Sequence, residues 1–466
     1  MHPKNPYHTR PDFVGLAGKH PSLAPFVQSG NIDFSDAGAL RALTTALLKE
    51  DFGINVELRQ DRLCPTVANR LDYVLLCLDL ADPGPLRAID IGTGHVAIYA
   101  LLLHHLRPDA HILATELDPC SLAHARATVA ANSNSNSIRV IPAPEGRIFP
   151  ISASDKDSTN KTYAFTMCNP PFFSSAQHVV ASRNLKGPAP AAPTAAINEE
   201  VTKGGEEAFI GTMIAESTKL GQVRWFTSLV GRYESLHSLV KLVREVTDNY
   251  YVVSLRQART ARWMLIWGFG KERLPDSITR PAVLDPTTSF ARLLPSPNTF
   301  SIKPDPPRTR GEIASVVLKA LKECGLWAVA SEASGETSTK VDNALESEVH
   351  PKTDPDPEAE EYIPLVPTSN TWSRAARRAL QRGDGPPPAA EPLFRARLRI
   401  TGTEAAEVSL LWDWGGDREA VDGFWKKADS FGLARGRANQ AGHWRGGGRD
   451  EGWAGRGRGR GRGRET

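Results

Sequence analysis

The sequence predicts an α/β fold built on a doubly wound, Rossmann-like parallel sheet of seven strands. Short apolar runs alternate with segments of helical apolar spacing from residue 86 to residue 246, which predicts parallel strands joined by helices. The last two apolar runs, 250–255 and 263–269, have no helix between them, which predicts a terminal antiparallel hairpin. A Gly-x-Gly turn directly follows the first run, at the sheet edge where such folds bind ligands.

Hydrophobic periodicity gives the individual elements of this sheet. Ahead of it we expect two helices, at 36–48 and 67–80. The predicted strands are 86–91, 111–116, 138–141, 163–167 and 223–230, followed by the two strands of the hairpin. The predicted helices between them are 97–106, 119–132, 206–219 and 236–246. This arrangement is the usual architecture of class I S-adenosylmethionine (SAM) methyltransferases.

Composition limits the class of protein. Apolar residues make up 40% of the 466 residues, enough for a substantial core, whereas 35 Pro and 38 Gly predict long unfolded segments. The five Cys residues are scattered without a Cys-x-x-Cys pair, which argues against a zinc site or a disulfide framework and for a reducing compartment. We therefore predict no metal site. No apolar stretch is long enough to cross a membrane, and the first residues contain no apolar signal core.

The stretch Asn169-Pro170-Pro171-Phe172 follows the predicted strand 163–167 and can hold a planar amino group. The Asn169 amide oxygen and the Pro170 carbonyl can each accept one N–H of the amine. Both prolines have a fixed φ and no N–H, so the carbonyl keeps its direction, and Phe172 can stack on a flat ring. Such a site promotes methyl transfer mainly by placement. Taken alone, these residues more often form a plain turn after a strand.

The stretch 90–94, Asp-Ile-Gly-Thr-Gly, lies at the carboxyl end of the first predicted strand. Gly92 and Gly94 allow the backbone to approach the methionine part of a cofactor, and Asp90 belongs to the same motif. Glu116 ends the second strand, where an acidic residue can accept both ribose hydroxyls. A Gly-x-Gly turn alone is usually an ordinary strand–helix connection. Followed by the Asn-Pro-Pro-Phe stretch after the fourth strand, however, these motifs predict a SAM-dependent methyltransferase.

Several segments, taken together, are similar to one protein family. They are 11–17, 40–53 with its Leu-Leu-Lys-Glu-Asp-Phe-Gly run, 65–73, 89–94, 114–116, 167–173 and 259–263. The chain resembles the methyltransferase-like protein 16 family, RNA adenine N(6)-methyltransferases that modify U6 small nuclear RNA and have bacterial relatives acting on large-subunit ribosomal RNA. The resemblance covers residues 5–270. It implies SAM as the cofactor and a structured RNA as the partner.

The resemblance also implies roles for single residues. It places SAM against Arg70, Gly92, Glu116 and Asn169, with Arg70 able to pair with the cofactor carboxylate. The family has a cofactor-binding Thr after the third strand, and Arg147 stands at the matching position here. The family's four catalytic residues match without change at Asn169, Pro170, Pro171 and Phe172.

Two basic segments are candidates for contacts with RNA phosphates. Lys4, Arg10 and Lys19 lie in a polar, Pro-rich amino-terminal stretch, which is either an arm along a phosphate backbone or a frayed terminus. Arg259 and Arg262 lie at the turn of the terminal hairpin, where they either contact phosphates or face solvent.

Composition and pattern divide the chain into parts. Residues 1–80 are predicted to form an RNA-binding arm and two helices, and 81–272 the methyltransferase domain. Within that domain the Pro/Ala-rich insert 174–205 predicts a mobile active-site loop that acts as a substrate-gated lid, hinged near Gly204 and Gly205. A plain disordered insertion is the alternative.

The carboxyl-terminal part predicts a second, smaller α+β domain that is split in two. Segments 290–331 and 392–432 carry strand and helix patterns, each too short to bury a core alone. The predicted elements are strands at 298–303, 326–330, 394–401 and 407–414 and helices at 308–324 and 418–431. Residues 332–391 between the two halves predict a disordered linker with a basic helical stretch at 373–382.

The last segment, 433–466, is rich in Arg and Gly and ends in a strict Arg-Gly alternation. It has no apolar face to bury, so it should not fold alone. Such a tail can bind RNA through charge and through stacking of Arg on bases. A solubility or self-association tail is the alternative.

The sequence therefore predicts a SAM-dependent RNA adenine N(6)-methyltransferase that acts on a flipped-out adenine of U6 small nuclear RNA or a similar hairpin. A protein glutamine N(5)-methyltransferase, which also uses an Asn-Pro-Pro-aromatic stretch but usually with Tyr, is one alternative. A DNA adenine methyltransferase and a catalytically inactive RNA-binding protein are the others. The family and the Arg-Gly tail predict a nuclear location.

Overall fold

The computed structural model describes residues 1–152, 162–171, 204–257, 260–280, 288–324, 326, 362–384, 387 and 389–429. Within them, an amino-terminal helical part precedes a central seven-stranded sheet, and a four-stranded sheet follows it. The predicted tail 433–466, most of the predicted loop 174–205 and the predicted strand 326–330 beyond Leu326 lie outside the described residues.

The amino-terminal part consists of three helices and a short hairpin. They are α1 Phe13–Lys19, β1 Val27–Gln28, β2 Asn31–Ile32, α2 Ala37–Phe52 and α3 Val67–Leu78. The carboxylates of Asp12 and Asp36 accept backbone N–H groups in the first turns of α1 and α2 and cap both helices. Gly53, with a φ of +65°, ends α2 in the left-handed conformation that suits glycine. The two predicted helices are confirmed, and α2 continues four residues beyond its predicted end at 48.

The first residues of the chain are held by a buried carboxylate on α3. Asp72, only 1% exposed, accepts hydrogen bonds from Asn5 Nδ2 at 2.7 Å and from the His2 N–H at 2.9 Å. The Met1 amine lies 3.9 Å from the same carboxylate, and His2 Nε2 lies 2.8 Å from Asp79. The alternative of a frayed terminus is therefore wrong, whereas an arm that contacts an RNA backbone stays a prediction. A buried carboxylate needs hydrogen-bond donors, and these residues supply them.

The central sheet has the predicted doubly wound topology. Its strands are β3 Arg87–Ile91, β4 His111–Glu116, β5 Ile138–Pro142, β6 Tyr163–Cys168, β7 Val223–Val230, β8 Tyr250–Gln257 and β9 Thr260–Trp267. Their spatial order is β5-β4-β3-β6-β7-β9-β8. Strands β3 to β7 are parallel, and β9 runs antiparallel to both β7 and β8, as the terminal hairpin predicted. The chain order reverses between β3 and β6, which is the switch point where such sheets bind ligands.

Helices cover both faces of this sheet. They are α4 Ile98–Leu106, α5 Pro119–Ala131, α6 Gly205–Ser217 and α7 Tyr233–Val246. Alternate strand residues enter two different cores. Ala88 and Met167 belong to one core, and Ile89, Phe226 and Trp267 to the other. Burial on both faces explains why these strands read as nearly continuous apolar runs. Each predicted strand and helix of the sheet is confirmed, with ends that differ by a few residues.

The carboxyl-terminal part, the accessory domain, is a four-stranded antiparallel sheet with helices. After the short helix α8 Asp276–Thr279, its elements are β10 Thr299–Ile302, α9 Arg310–Glu323, β11 Ile363–Leu365, α10 Arg374–Gln381, β12 Arg395–Thr401, β13 Glu407–Trp414 and α11 Arg418–Asp429. The strand order is β10-β13-β12-β11. Strands from both predicted halves share this sheet, and the predicted small carboxyl-terminal α+β fold is confirmed, whereas its exact bounds stay a prediction.

One part of the predicted linker belongs to the accessory domain. Strand β11 pairs with β12, and Trp372, only 3% exposed, packs its ring against Phe394 and Phe424. The prediction of a disordered linker over 332–391 is therefore wrong for residues 362–384. The prediction failed because β11 has three residues, and so short an apolar run cannot be recognised as a strand within a polar, Pro-rich sequence. The basic helix predicted at 373–382 is confirmed as α10.

The accessory domain is joined to the central sheet by the residues that follow β9. The Gly415 N–H donates to the Lys271 carbonyl at 2.7 Å, and the Arg273 N–H donates to the Asp413 carbonyl at 2.8 Å. The Arg273 guanidinium lies 4.4 Å from the centre of the Trp412 ring and donates to the Gly415 carbonyl at 2.9 Å. Because β9 is antiparallel to β7, this junction lies at the end of the sheet opposite the carboxyl ends of the parallel strands.

We expect Asp72→Ala to lower the free energy of unfolding by about 2 kcal/mol, because the buried donors of Asn5 and His2 lose their acceptor. Asp109→Ala is the control, since it removes a half-exposed carboxylate paired with Arg107; we expect a change below about 0.5 kcal/mol. Denaturant unfolding combined with amide hydrogen exchange of the first twenty residues measures both. Equal stability of the two variants would contradict the assigned role of Asp72.

Candidate active site

The carboxyl ends of β3, β4 and β6 form the candidate active site. Strand β3 pairs with β4 up to Ile91 and Thr115, and with β6 up to Ile91 and Cys168. The loop after β3, Glu116 at the end of β4 and Asn169 after β6 therefore meet at one edge of the sheet. The structure thus brings together the residues that two separate sequence motifs singled out.

The loop after β3 is built for close approach by a ligand. Gly92 and Gly94 have φ values of +68° and +71°, and a Cβ on either residue would meet no atom within 4 Å. Both glycines therefore border open space, and the left-handed backbone there favours glycine. The Thr93 N–H donates to the Thr115 carbonyl at 2.8 Å, which fixes the loop to the end of β4.

Asp90 is a fully buried carboxyl group directly beneath this loop. The Thr93 hydroxyl donates to its Oδ2 at 2.5 Å, whereas Oδ1 has no hydrogen-bond partner among the described residues. Burial raises the pKa of Asp90 to about 7, and the nearby Glu116 charge adds to the increase, against opposing hydrogen bonds from the Thr93 hydroxyl and the Ala100 backbone. A buried carboxylate with an unused oxygen is poised to accept a hydrogen bond from a ligand.

Glu116 closes the other side of the loop. Its Oε2 accepts the Gly94 N–H at 2.8 Å, and its Oε1 accepts the N–H groups of Leu117 at 2.8 Å and Asp118 at 3.0 Å. A carboxylate has about four acceptor sites, so three N–H donors leave about one for a further donor, such as a ribose hydroxyl. The next side chain, Leu117, is 74% exposed and offers an apolar surface for a flat ring. Sequence reasoning missed Leu117, whose position directly after the acidic residue was the available signal.

Arg70 lies on α3 beside this edge. Its guanidinium is 5.5 Å from the centre of the Tyr99 ring on α4, a cation–π distance that orients the charge. The Tyr99 hydroxyl is buried and has no hydrogen-bond partner among the described residues. Tyr99 is a second residue that the sequence analysis missed.

Asn169 presents the acceptor that its motif predicts. Its Oδ1 atom is buried and has no hydrogen-bond partner in the described part of the chain. Pro170 is buried and Pro171 half-buried, so the turn is packed in place. Phe172 lies outside the described residues, and its stacking role stays a prediction.

The described residues fit the chemistry of SAM. Asp90, Tyr99 and Asn169 each hold an unused polar atom at this edge, which suits a ligand with an amino group. Arg70 can pair with a carboxylate, and Glu116 can accept from a ribose diol. Unpaired buried polar atoms are rare in folded proteins, and three of the nine found among the described residues lie at this one edge, which supports a binding site here.

Arg147, the remaining cofactor candidate, lies in the connection between β5 and β6. Its side chain is exposed, while Glu216 accepts the N–H groups of the next two residues, Ile148 and Phe149. The structure therefore fixes the backbone next to Arg147. A contact between this residue and the cofactor stays a prediction.

The RNA candidates in the amino-terminal part have different surroundings. Lys4 is exposed. Arg10 lies over the Phe13 ring and donates to the Gly30 carbonyl at 3.0 Å. Lys19 forms an ion pair with Glu50 on α2. Exposed ion pairs exchange readily for other partners, so a role for all three in RNA binding stays a prediction.

Arg262, one of the two hairpin candidates, lies at the active-site end of the sheet. Arg262 is half-buried and donates to the Gly231 carbonyl at 3.3 Å, in the loop between β7 and α7. Burial lowers its pKa, and Glu206 opposes that decrease. The Glu206 carboxylate in turn accepts the Gly231 N–H at 2.7 Å. Arg262 therefore contributes to the loop's structure; Arg259 lies outside the described residues.

A metal site and a membrane-spanning helix were also considered for the described residues. Among those residues, no group of three or more His, Cys, Asp or Glu side chains is placed to hold a metal ion. No described helix is both long and apolar enough to cross a membrane.

A family model described as RNA methyltransferase matches residues 1–271. This span contains Arg70, the glycine loop, Glu116 and the Asn169 motif. The chain belongs to this RNA methyltransferase family. The matched span is more than half of the sequence and ends at the junction with the accessory domain.

Individual relatives agree with the family. This RNA methyltransferase is 32% identical over 402 residues to the RNA N(6)-adenosine-methyltransferase mettl16 of Danio rerio, a match that covers 82% of this chain and 79% of the relative. It is 34% identical over 327 residues to the U6 small nuclear RNA (adenine-(43)-N(6))-methyltransferase of Caenorhabditis elegans, covering 63% of this chain and 67% of the relative.

A solved structure is also similar. The hMettl16 catalytic domain in complex with MAT2A 3′UTR hairpin 1 is 35% identical, with a TM-score of 0.53, and the match covers 58% of this RNA methyltransferase and 95% of that chain. The resemblance to the methyltransferase-like protein 16 family and the Rossmann-like methyltransferase fold, both predicted from the sequence, are confirmed.

We expect Asp90→Asn to change stability in a pH-dependent way. The folded-state pKa of Asp90 is above its unfolded value, so its contribution to stability is greatest below about pH 4 and is lost as pH rises toward 7. The melting temperature of Asp90→Asn, relative to wild type, should therefore increase from pH 5 to pH 8.

Asp118→Asn is the control for this experiment. Hydrogen bonds from Ser121 and Arg62 lower the pKa of Asp118, so its carboxylate stabilises the fold above the unfolded pKa and loses that effect as pH falls. Asp118→Asn should lower the melting temperature at both pH values, with no increase from pH 5 to pH 8. Parallel behaviour of the two variants would contradict the raised pKa of Asp90.

Proposed function

We propose that this chain transfers the methyl group of SAM to the exocyclic N6 of an unpaired adenine in a structured RNA, with U6 small nuclear RNA as the first candidate substrate. The observation that carries the proposal is the buried Asn169 Oδ1, which has no hydrogen-bond partner among the described residues and lies beside the glycine loop at the switch point of the sheet. The names of the relatives, an RNA N(6)-adenosine-methyltransferase and a U6 small nuclear RNA methyltransferase, support it.

The chemical problem at N6 is its poor nucleophilicity, because the nitrogen lone pair is delocalised into the adenine ring. Asn169 Oδ1 and the Pro170 carbonyl supply two fixed acceptors for the two N–H groups. When both hydrogen bonds form, they hold the amine still and favour a more pyramidal, more nucleophilic nitrogen. Neither group removes a proton, so the acceleration comes from placement and from fixed dipoles.

The chain's own residues account for cofactor binding. SAM supplies a methyl group on a positively charged sulfur, which makes that carbon electrophilic. Arg70 would pair with the carboxylate of its methionine part, and Asp90 and Tyr99 would meet its amino group from below. Glu116 would accept from a ribose hydroxyl, and Leu117 would pack against the base. Each of these atoms lies at the edge formed by β3 and β4.

Access to N6 requires that the adenine leaves its base stack. An unpaired adenine in a loop or bulge costs less to extrude than a paired one, which favours structured RNA hairpins over perfect duplexes. The relative solved in complex with an RNA hairpin supports this substrate class. We propose that Lys4, Arg10, Lys19, Arg259 and Arg262 and the tail 433–466 contribute phosphate contacts.

A nuclear location is part of the proposal. U6 is a small nuclear RNA, and one relative is named for acting on it. Fluorescence microscopy of the tagged full chain tests this point. An exclusively cytoplasmic signal would overturn it.

The decisive experiment measures methyl transfer from labelled SAM to a synthetic U6 hairpin and to the same hairpin with its target loop adenines replaced by guanine. Digestion to nucleosides and mass spectrometry identify N6-methyladenosine. We expect wild type to label only the adenine-containing RNA. Asn169→Ala should reduce the rate at saturating SAM by on the order of 100-fold or more.

Asn132→Ala is the matched control, since it removes an amide that contacts Asn55 far from the active-site edge. It should retain the wild-type rate. Label in glutamine of protein instead of RNA would replace the proposal by the glutamine N(5) reaction. Label in DNA adenine would point to a DNA enzyme, and SAM binding without transfer to any of these acceptors would leave an RNA-binding protein.

A further inference from the structure

The backbone ladder between β6 and β7 ends before the active-site end of the sheet. Their pairing consists of Tyr163 with Val223 and Phe165 with Trp225, whereas β6 stays paired with β3 as far as Cys168. The last residues of β6 therefore have ladder partners on one side. Their buried backbone groups need other hydrogen-bond partners on the side of β7.

Side-chain hydroxyl groups fill this gap. The Cys168 N–H donates to Tyr73 Oη at 3.0 Å, and Tyr73 Oη lies 2.6 Å from Thr227 Oγ1. Thr227 donates from Oγ1 to the Thr166 carbonyl at 2.6 Å, and its N–H donates to Thr166 Oγ1 at 3.1 Å. A relay of hydrogen bonds thus replaces the missing rungs between the two strands.

The two ends of the relay fix its direction. A carbonyl only accepts, so the Thr227 hydroxyl donates its proton to the Thr166 carbonyl. The Tyr73 hydroxyl is then the donor to Thr227 Oγ1, which at 2.6 Å is the nearer of its two acceptors. Tyr73 is 0% exposed, and burial raises its pKa well above the ordinary value. The phenol therefore keeps the proton that the relay requires. The Cys168 carbonyl, in the peptide group that leads into Asn169, is a second and longer acceptor for the same hydroxyl, at 3.3 Å.

We propose that Tyr73 is a positioning residue for methyl transfer, holding the Cys168 backbone so that Asn169 Oδ1 and the Pro170 carbonyl point at the adenine amine. This inference rests on the function proposed above. Tyr73 touches neither reactant; it acts through the backbone of the residue before Asn169. Displacements of about 1 Å at reacting groups can cost on the order of 100-fold in rate.

Helix α3 carries both Tyr73 and the cofactor candidate Arg70. Tyr73 and Arg70 are three residues apart and therefore neighbours on one helix face. Their side chains are linked through Tyr99, whose ring packs edge-to-face on Tyr73 at 5.4 Å and lies beneath Arg70 at 5.5 Å. Helix α3 thus positions Arg70, which would pair with the cofactor carboxylate. Through Tyr73 it also positions the backbone that carries the acceptors for the adenine amine.

The test compares Tyr73→Phe with Tyr250→Phe. Tyr250 is also a buried tyrosine of the sheet region, and its hydroxyl accepts from Arg244 at 2.7 Å and donates to the Leu293 carbonyl at 3.0 Å, at the opposite edge of the sheet. Single-turnover rates on the U6 hairpin, Kd for SAM, Kd for RNA and melting temperature are measured for both variants. We expect Tyr73→Phe to reduce the rate 10- to 100-fold with both Kd values within about threefold of wild type. Tyr250→Phe should keep the wild-type rate.

Substitutions of Thr227 test the relay without altering Tyr73. Thr227→Ser keeps the hydroxyl, and Thr227→Val keeps the shape but removes it. We expect Thr227→Ser to retain activity and Thr227→Val to lose it in the same way as Tyr73→Phe. Because both changes break one relay, the double variant Tyr73→Phe/Thr227→Val should be less impaired than the product of the two single effects.

Each result decides one question. If wild type and Tyr250→Phe form no N6-methyladenosine, the proposed function fails, whatever Tyr73 does. If wild type is active and Tyr73→Phe transfers methyl groups at the rate of Tyr250→Phe, the positioning role is wrong. Should Tyr73→Phe unfold, equal rates for Thr227→Ser and Thr227→Val would overturn the inference, and a 10-fold or larger difference would support it.

Discussion

The parallel pairing of β3 with β6 is the constraint on which the active site depends. These strands are separated in sequence by two strands and two helices, yet they are neighbours in the sheet. Their pairing ends at Ile91 and Cys168, so the glycine loop and Asn169 begin side by side. A cofactor held at one loop therefore faces an acceptor held at the other. The catalytic geometry follows from strand order, and the surrounding helices refine it.

Helix α3 connects this edge to the amino terminus. Asp72 on one side of the helix binds the first residues of the chain, while Arg70 and Tyr73 reach the cofactor edge and β6. The helix is buried almost all round from Leu71 to Cys77. Because polar groups inside a protein must be paired, each of these contacts restrains the others. The amino-terminal segment is therefore a structural support of the active site, in addition to any contact that it makes with RNA.

The central sheet could be predicted from the sequence, because its strands are buried on both faces and the connecting helices have clear apolar spacing. It also singled out Asp90, Glu116 and Asn169, which the structure brings to one end of the sheet, because such residues lie in short motifs at strand ends. It did not reveal the Asn5–Asp72 contact, strand β11 or the Tyr73 relay. Each of these depends on groups far apart in the chain, and Tyr73 in the sequence looks like any other aromatic residue of a buried helix. Composition alone cannot distinguish a polar terminus that is loose from one whose polar groups are paired with a buried carboxylate.

The split accessory sheet has a practical consequence for the chain's connectivity. Strand β10 lies before the stretch 327–361 and pairs with β13, while β11, β12 and β13 all follow that stretch. A peptide bond cut there leaves two fragments that still share one sheet, with α9 packed on it in the same core. The protein is thus suited to reconstitution from two separately produced pieces. The stretch is equally a place where a reporter domain can be inserted without interrupting any described strand or helix of either sheet.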